Sequence, residues 1–426
     1  CKKRKIPYRL FEASHRMGGR VRTAQNKIGT NITALDLGVD TVDERHRQVF
    51  ELCRELNLEL SEKSSSIRWQ DGLLWSNDKF ISVQKQKGEL EKVFSRLAET
   101  QFRVMGERKD QEWETEVFLR PEVQALDKVS FGSFITEKKI KLSAPVEEFL
   151  QGWCLSQWGL KMDQVSVFAV ILFLDPENRG PAQYQLRNGF GSLTQTMFQR
   201  SAGVISNHLV KTGYQLTEVE EKQGRYHCNF QYRTLENSQN SVLKKIECTR
   251  LILALPITQI SKINWDGDLN NSMASWKKNQ FGGLAAQVKS FHNGSNRQLK
   301  NKWAVSQNKI YRVEPNEQES HIAVLSAPGA ITPEGEGFPK ALGYTAEPIT
   351  TLDWTAQKWI QGSRWTQGLG VLTGYQQWKK DFKSGGRIYF SGEFDSTTYP
   401  GTLEAALASG VAAVTAVAPE VVLQPV

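Results

Sequence analysis

Leu10-Phe11-Glu12-Ala13-Ser14-His15-Arg16-Met17-Gly18-Gly19-Arg20-Val21-Arg22-Thr23 is the stretch on which the fold turns. Residues 6–12 read as a short strand ending in a carboxylate. An acid at the end of a second parallel strand is where a dinucleotide fold needs an acceptor for ribose hydroxyls. The Gly18-Gly19 pair lets backbone approach a pyrophosphate, and Arg20 supplies a bidentate donor to it. Singly, each feature would suit an ordinary strand, turn and basic surface. The ribose acid normally follows a glycine fingerprint by about 20 residues. Only positions 1–11 precede Glu12, so the fingerprint is expected upstream of Cys1.

The other end of the chain carries a matching pattern. Phe390-Ser391-Gly392-Glu393 reads as a strand ending in Gly-Glu, and Tyr399-Pro400-Gly401-Thr402-Leu403-Glu404-Ala405-Ala406 opens a helix of small residues over 402–417. Free N–H groups at such a helix start stabilise negative charge. Tight packing of that helix on a sheet would also favour Ala and Gly.

Between the two ends the character alternates. Val42, Val49, Phe50, Cys53 and Leu56 lie at helical spacing. Asp71-Gly72, between Trp69 and Trp75, predicts a hairpin turn. Residues 88–104 and 144–174 are amphipathic or apolar helical stretches. Gly189-Phe190-Gly191-Ser192-Leu193 opens another helix. Strands are expected over 203–211, 213–220, 225–233 and 243–255, the last stopped by Pro256. The organisation predicted is α/β, with a Rossmann-like dinucleotide-binding domain from 1–58, 183–256 and 380–426. An interleaved α+β substrate domain takes 59–182 and 257–379.

Composition narrows the function classes. At 426 residues two interleaved cores are the sensible expectation. The net charge of +8 is spread through acidic segments, without a groove-reading motif, so nucleic-acid binding is not expected. Five widely spaced cysteines without a Cys-x-x-Cys pair argue against a disulfide framework or a zinc site. They fit a reducing, cytoplasmic compartment. The six histidines show no ligand spacing, and no metal is expected. The longest apolar run, Val167 to Leu174, is too short to span a bilayer.

The first segment resembles the Glu-Ala-x-x-Arg-x-Gly-Gly-Arg-x-x-Thr motif of the flavin monoamine oxidase superfamily. The last resembles that family's Phe-x-Gly-Glu and Pro-Gly-Thr-x-x-x-Ala-x-x-Ser-Gly signature, and the segments at 184–193 and 251–256 are similar to two others in the same order. The resemblance implies noncovalently bound FAD, because Arg364 stands where some relatives attach it through cysteine. It implies Glu12 and Ala13 at the adenosine ribose, Arg16, Gly18, Gly19, Arg20 and Gly38 around the pyrophosphate and ribityl chain, and backbone pairing of Val210 with adenine. Gly392 and Glu393 would hold the ribityl–phosphate region, while Gly401, Thr402 and Leu403 would face the flavin. Ala286 is matched to a lysine that relatives hold beside flavin N5 and that is associated with the oxygen reaction. With Ala286 toward the flavin, Lys289 is expected to point away. Trp365 would form a wall of the substrate cage, or would simply pack in the core. The activity implied is oxidation of a small-molecule amine by hydride transfer to flavin. The alternatives are a desaturase or porphyrinogen-oxidase-like enzyme, and a non-catalytic scaffold.

Overall fold

A computed structural model describes residues 6–417 apart from 29–30, 64–71, 78, 108–112, 176–179, 181, 203–208, 236–239, 280, 295–302, 307–309, 316–320, 331–342, 346 and 383–386. Part of the expected strand 203–211 therefore lies outside the described residues. Two parallel strand pairs frame the dinucleotide region. Leu10–Glu12 pairs with Val210–Thr212, and Leu251–Leu253 pairs with Ile388–Phe390. Among the described residues, neither Leu10–Glu12 nor Leu251–Leu253 has a partner on its other side. Beside them the strands Tyr214–Lys222, Arg225–Tyr232 and Val242–Cys248 form an antiparallel meander, extended by Asn264–Trp265.

The largest sheet has seven strands. Thr350–Asp353, Val288–Asn293, His321–Ser326, Ile310–Pro315, Trp303–Val305, Gly72–Ser76 and Lys79–Ser82 follow one another across it. Alternation along these strands splits its side chains cleanly, as a pleated sheet requires. Leu73, Ala304, Val313, Ile322 and Val324 form one apolar cluster. Leu74, Trp303 and Val305 belong to another, shared with the helix Ala144–Trp158. That helix comes close to the sheet at Gly152, where an added Cβ would lie 2.8 Å from the Ser306 carbonyl oxygen.

Several local readings are revised by packing. Gly72 is in a strand rather than a turn. An added Cβ there would lie 2.8 Å from the Phe149 ring and 3.0 Å from that of Trp303. The chain reverses instead after Ser76, with Asn77 in the left-handed region at φ 50°. The apolar stretch 144–174 is two helices, Ala144–Trp158 and Val167–Leu174. Gly159 ends the first at φ 65°, a conformation glycine adopts without strain. The stretch 243–255 likewise divides into two strands, one in the meander and one in the parallel pair. No helix among the described residues is long and apolar enough to cross a membrane.

Gly152→Ala should destabilise the protein by about 1–3 kcal/mol in a urea titration. Alanine is the better helix former by about 1 kcal/mol, but here its methyl meets backbone that cannot rotate away.

Candidate active site

The glycine turn is shaped by its own backbone. Gly18 and Gly19 have φ of 105° and 53°, and Arg16 clamps the turn from outside. Its Nη1 donates to the carbonyls of Met17 and Val21 at 3.0 and 3.1 Å, and its Nη2 to that of Gly19 at 2.5 Å. Burial, then the nearby Arg22, lowers the Arg16 pKa from its ordinary value. A Cβ on Gly19 would meet nothing within 4 Å, so the turn opens onto space. Gly38 has the opposite constraint, since a Cβ there would lie 1.8 Å from the Arg20 carbonyl oxygen. Glu12 ends its strand with Oε1 accepting from the Ser14 amide at 2.8 Å.

Glu393 joins this turn to two other segments. Its carboxylate pairs with Arg20 and accepts the Trp365 amide at 2.9 Å, while its carbonyl accepts the Gly401 amide at 2.9 Å. Gly401, at φ 84°, leads into the helix Leu403–Val417. Thr402 caps that helix, its Oγ1 accepting from the Ala405 amide at 3.1 Å. Gly392 is fastened to the same helix, donating to Ser409 Oγ at 2.9 Å.

These parts surround one cavity of about 2280 Å³, well above the roughly 300–1,000 Å³ of ordinary ligand pockets. Glu12, Ala13, Arg16, Gly18, Gly19, Arg20, Gly38, Gly392, Glu393, Gly401, Thr402 and Leu403 all line it. Val210 does not, although its neighbour Leu209 does. The cavity continues to the large sheet, reaching Gln287, Lys289, Trp303, Arg312 and Leu325.

Trp365 and Ala286 stand elsewhere. Residues 283–285 run antiparallel to 363–366, with Ala285 N–H donating to the Arg364 carbonyl at 2.7 Å and Thr366 N–H to that of Gly283 at 3.0 Å. Neighbouring side chains on such a ladder point to opposite sides. Arg364 therefore lines the cavity while Trp365, 1% exposed, packs edge-on against Tyr375 and Phe394, with Nε1 donating to the Phe281 carbonyl at 2.9 Å. By the same alternation Ala286 is exposed away from the cavity, and Gln287 and Lys289 face it. The expected orientation of this strand is thus reversed. The family lysine to which Ala286 is matched lies four residues after a glycine, so the doublet Gly282-Gly283 lets that position fall on either Ala286 or Gln287, and the structure brings Gln287 to the cavity.

The polar and cationic side chains facing the cavity include Gln287 and Arg312, which sequence reasoning missed, Lys289, which it turned away, and Arg364, which it placed at the FAD attachment position. Gln287 Nε2 donates to the Leu155 carbonyl at 3.0 Å, and its Oε1 accepts from Ser363 Oγ at 2.5 Å. Lys289 Nζ donates to Asp40 Oδ2 at 2.6 Å. Arg364 Nη1 donates to both the carbonyl and Oε1 of Gln157 at 2.9 Å. Burial works to raise the Asp40 pKa, but Lys289, Lys63 and Arg312 outweigh it and hold the carboxyl well below the usual range. Nothing local marks Lys289 or Arg312 as partners; their strands meet only through Ser326–His321.

Among the described residues no group of His, Cys, Asp and Glu side chains could hold a metal. The donors present suit an anionic dinucleotide. The amides of Gly18, Gly19 and Arg20 make no hydrogen bond among the described residues, and they border the cavity together with the helix start at Leu403. Arg20 adds positive charge there.

A sequence model described as flavin containing amine oxidoreductase matches residues 3–289 and 337–418. The chain belongs to that family, and FAD is its cofactor. No curated protein matches it in sequence. In fold it is similar to cyclohexylamine oxidase from Brevibacterium oxydans IH-35A, with a TM-score of 0.75 at 16% identity over 98% of this chain and 95% of that one. It is also similar to putrescine oxidase solved with putrescine bound, with a TM-score of 0.72 at 16% identity over the same shares. The protein is an FAD-dependent oxidoreductase of the amine oxidase type.

Asp36 gives this region a pH signature. Its Oδ1 accepts from Thr23 and from the Phe190 amide at 2.9 Å, tying the strand Asn31–Asp36 to the turn before the helix Gly191–Ala202. Burial raises its pKa to about 6, against hydrogen bonds from Thr23 and Phe190 and the charge of Lys289 that lower it. The folded state then binds the extra proton between the unfolded value of 3.8 and about 6. Relative to Asp36→Asn, the wild type should lose stability as pH rises through that window, by up to about 3 kcal/mol. Paired urea titrations from pH 4 to 7 measure the difference; parallel curves would refute it.

Proposed function

We propose that the protein binds FAD noncovalently along this cavity and oxidises a small amine at the end nearest the large sheet. The observation that carries the reading is the convergence of the glycine turn, Glu393 and the start of the helix Leu403–Val417 on one cavity that also reaches Gln287. When bound, FAD supplies the oxidising chemistry, taking two electrons with a hydride at N5. Glu12 receives the ribose hydroxyls. The amides of Gly18, Gly19 and Arg20 and the Arg20 guanidinium hold the pyrophosphate. Leu403, at the helix start, turns its amide and the helix dipole toward the flavin. Arg364 offers no sulfur for a covalent link.

Gln287 takes the place matched to the family's lysine. Its amide is held by Ser363 and the carbonyls of Leu155 and Ser156, and carries no charge. It keeps the inner end of the cavity polar without offering a proton donor of lysine's kind. This neutral position also suits a C–C desaturase, which makes that the second reading.

The purified protein should carry a flavin spectrum, and acid precipitation should release all the flavin into the supernatant. Anaerobic addition of amines should bleach it, with slow recovery in air. Bleaching by a polyene or porphyrinogen and by no amine would favour the second reading, and flavin remaining in the precipitate would refute noncovalent binding. Glu12→Lys should lower FAD affinity at least tenfold, loss of a charge-assisted hydrogen bond alone being worth roughly 1.5–3 kcal/mol. Equilibrium dialysis against FAD, with a circular dichroism spectrum to confirm folding, tests this; unchanged affinity would remove Glu12 from the ribose site.

A further inference from the structure

The segment 37–41 runs between the glycine turn and the large sheet, and is tied to both. On the turn side, the amides of Leu37 and Gly38 donate to the Arg22 carbonyl at 2.9 and 3.2 Å. Gly38 also lies against the Arg20 carbonyl, nearer than any side chain allows. On the sheet side, Trp354 Nε1 donates to the Leu37 carbonyl at 3.0 Å, and the Trp354 amide to that of Gln287 at 3.2 Å. Leu37, Phe291, Leu352 and Trp354 share one apolar cluster. The last tie is ionic, from Lys289 Nζ to Asp40 Oδ2 at 2.6 Å.

Packing alone does not call for a lysine at this place. The Lys289 side chain is 9% exposed, and an ammonium withdrawn from water is costly unless paired. Its position is fixed by pairing on both sides, with Leu325 on one strand and Leu352 on the other. The Asp40 carboxylate sits on a segment without such a frame, and its Oδ1 accepts only locally, from Thr41 Oγ1 at 3.3 Å. Arg312, across Leu325 from Lys289 in the same row, and Lys63 also act on its charge. Lys289 therefore decides where among three cations the carboxylate settles. Asp40 is two residues from Gly38, so that choice is passed directly to the contact with Arg20.

We propose that Lys289 is a positioning residue for the cofactor: through Asp40 it holds the segment 37–41 against the glycine turn, and so sets the backbone at 20–22 where the pyrophosphate binds. The inference rests on the assignment of the pyrophosphate to that turn and goes beyond it, because Lys289 belongs to the large sheet. Gln287, just before the same strand, faces the cavity as well. One stretch of chain thus carries a wall of the cavity and the strut beneath its glycine turn.

The test follows FAD release from the holoprotein after dilution, read as the rise of free-flavin fluorescence, in Lys289→Met, Asp40→Asn and the double variant. Each single change should speed release by about fivefold or more, within the range by which coupled positions act. The double variant should be no more than about twofold faster than the quicker single one, because both changes break the same link. Lys289→Arg, which keeps the charge, should release FAD more slowly than Lys289→Met. Hydrogen exchange on the same holoproteins gives a local readout. The amides of Val21, Leu37 and Gly38 should exchange faster in Lys289→Met, while those of the meander strand Arg225–Tyr232 keep wild-type rates. Should Lys289→Met fail to fold, Lys289→Gln carries the same comparisons. Release at the wild-type rate, or faster exchange spread evenly over the chain, overturns the proposal. So does a double variant in which the two factors multiply, the mark of a direct contact with the cofactor. Arg20→Met locates a failure: wild-type release there too would place it in the pyrophosphate assignment, and rapid release from Arg20→Met alone would place it in the role of Lys289.

Discussion

The Glu393 carboxylate is the joint on which the cavity hangs. One buried side chain neutralises Arg20 and accepts the Trp365 amide, while its backbone carbonyl receives Gly401. The glycine turn, the segment carrying Arg364 and the start of the helix Leu403–Val417 are thereby fixed relative to one another. An ion pair removed from water gains from the low dielectric only when the remaining lone pairs are satisfied, and the Trp365 amide meets that condition on the carboxylate's side. The Arg20 guanidinium, turned toward Glu393 and the Ser363 carbonyl, is held at the rim of the glycine turn.

The second constraint is close approach. Gly38 lies against the Arg20 backbone and Gly152 against Ser306, in both cases nearer than a Cβ permits. The first brings the strand Asn31–Asp36 and the Asp40 segment under the glycine turn. The second sets the helix Ala144–Trp158 low over the large sheet, so that Trp153 and Gln157 reach the same cavity as Lys289 and Arg312. Glycine placement in this chain therefore decides where the polar side chains of two distant segments can meet.

Much of the dinucleotide end was legible because its signals are local. Glu12, the glycine pair, Arg20, Glu393 and the helix opening at Leu403 each sit in a short motif whose backbone dictates the geometry, and the structure gathers them around one cavity. The substrate end was not legible to the same degree. A lone tryptophan reads equally well as wall or core, and only the ladder between 283–285 and 363–366 turns Trp365 inward and Arg364 toward the cavity. The doublet Gly282-Gly283 hid the register that faces Gln287, rather than Ala286, into the cavity. Lys289 and Arg312 become neighbours only when both strands pair with His321–Ser326, a relation that no periodicity along the chain expresses.

The parallel pairings carry a consequence for how the molecule is made. Position 10 must find position 210, and position 251 must find position 388, before either pair exists. Contacts so far apart in sequence are paid in loop-closure entropy before they return any packing, which slows folding. During synthesis Glu393 emerges 373 residues after Arg20. Arg20 therefore waits through the synthesis of that stretch without the carboxylate that will hold it. The strands of the large sheet lie between Gly72 and Asp353, so all of them are made before Glu393 and the helix Leu403–Val417. The grip on the flavin therefore depends on residues made after the large sheet: a chain halted before Glu393 would carry every strand of that sheet and lack the joint that holds Arg20.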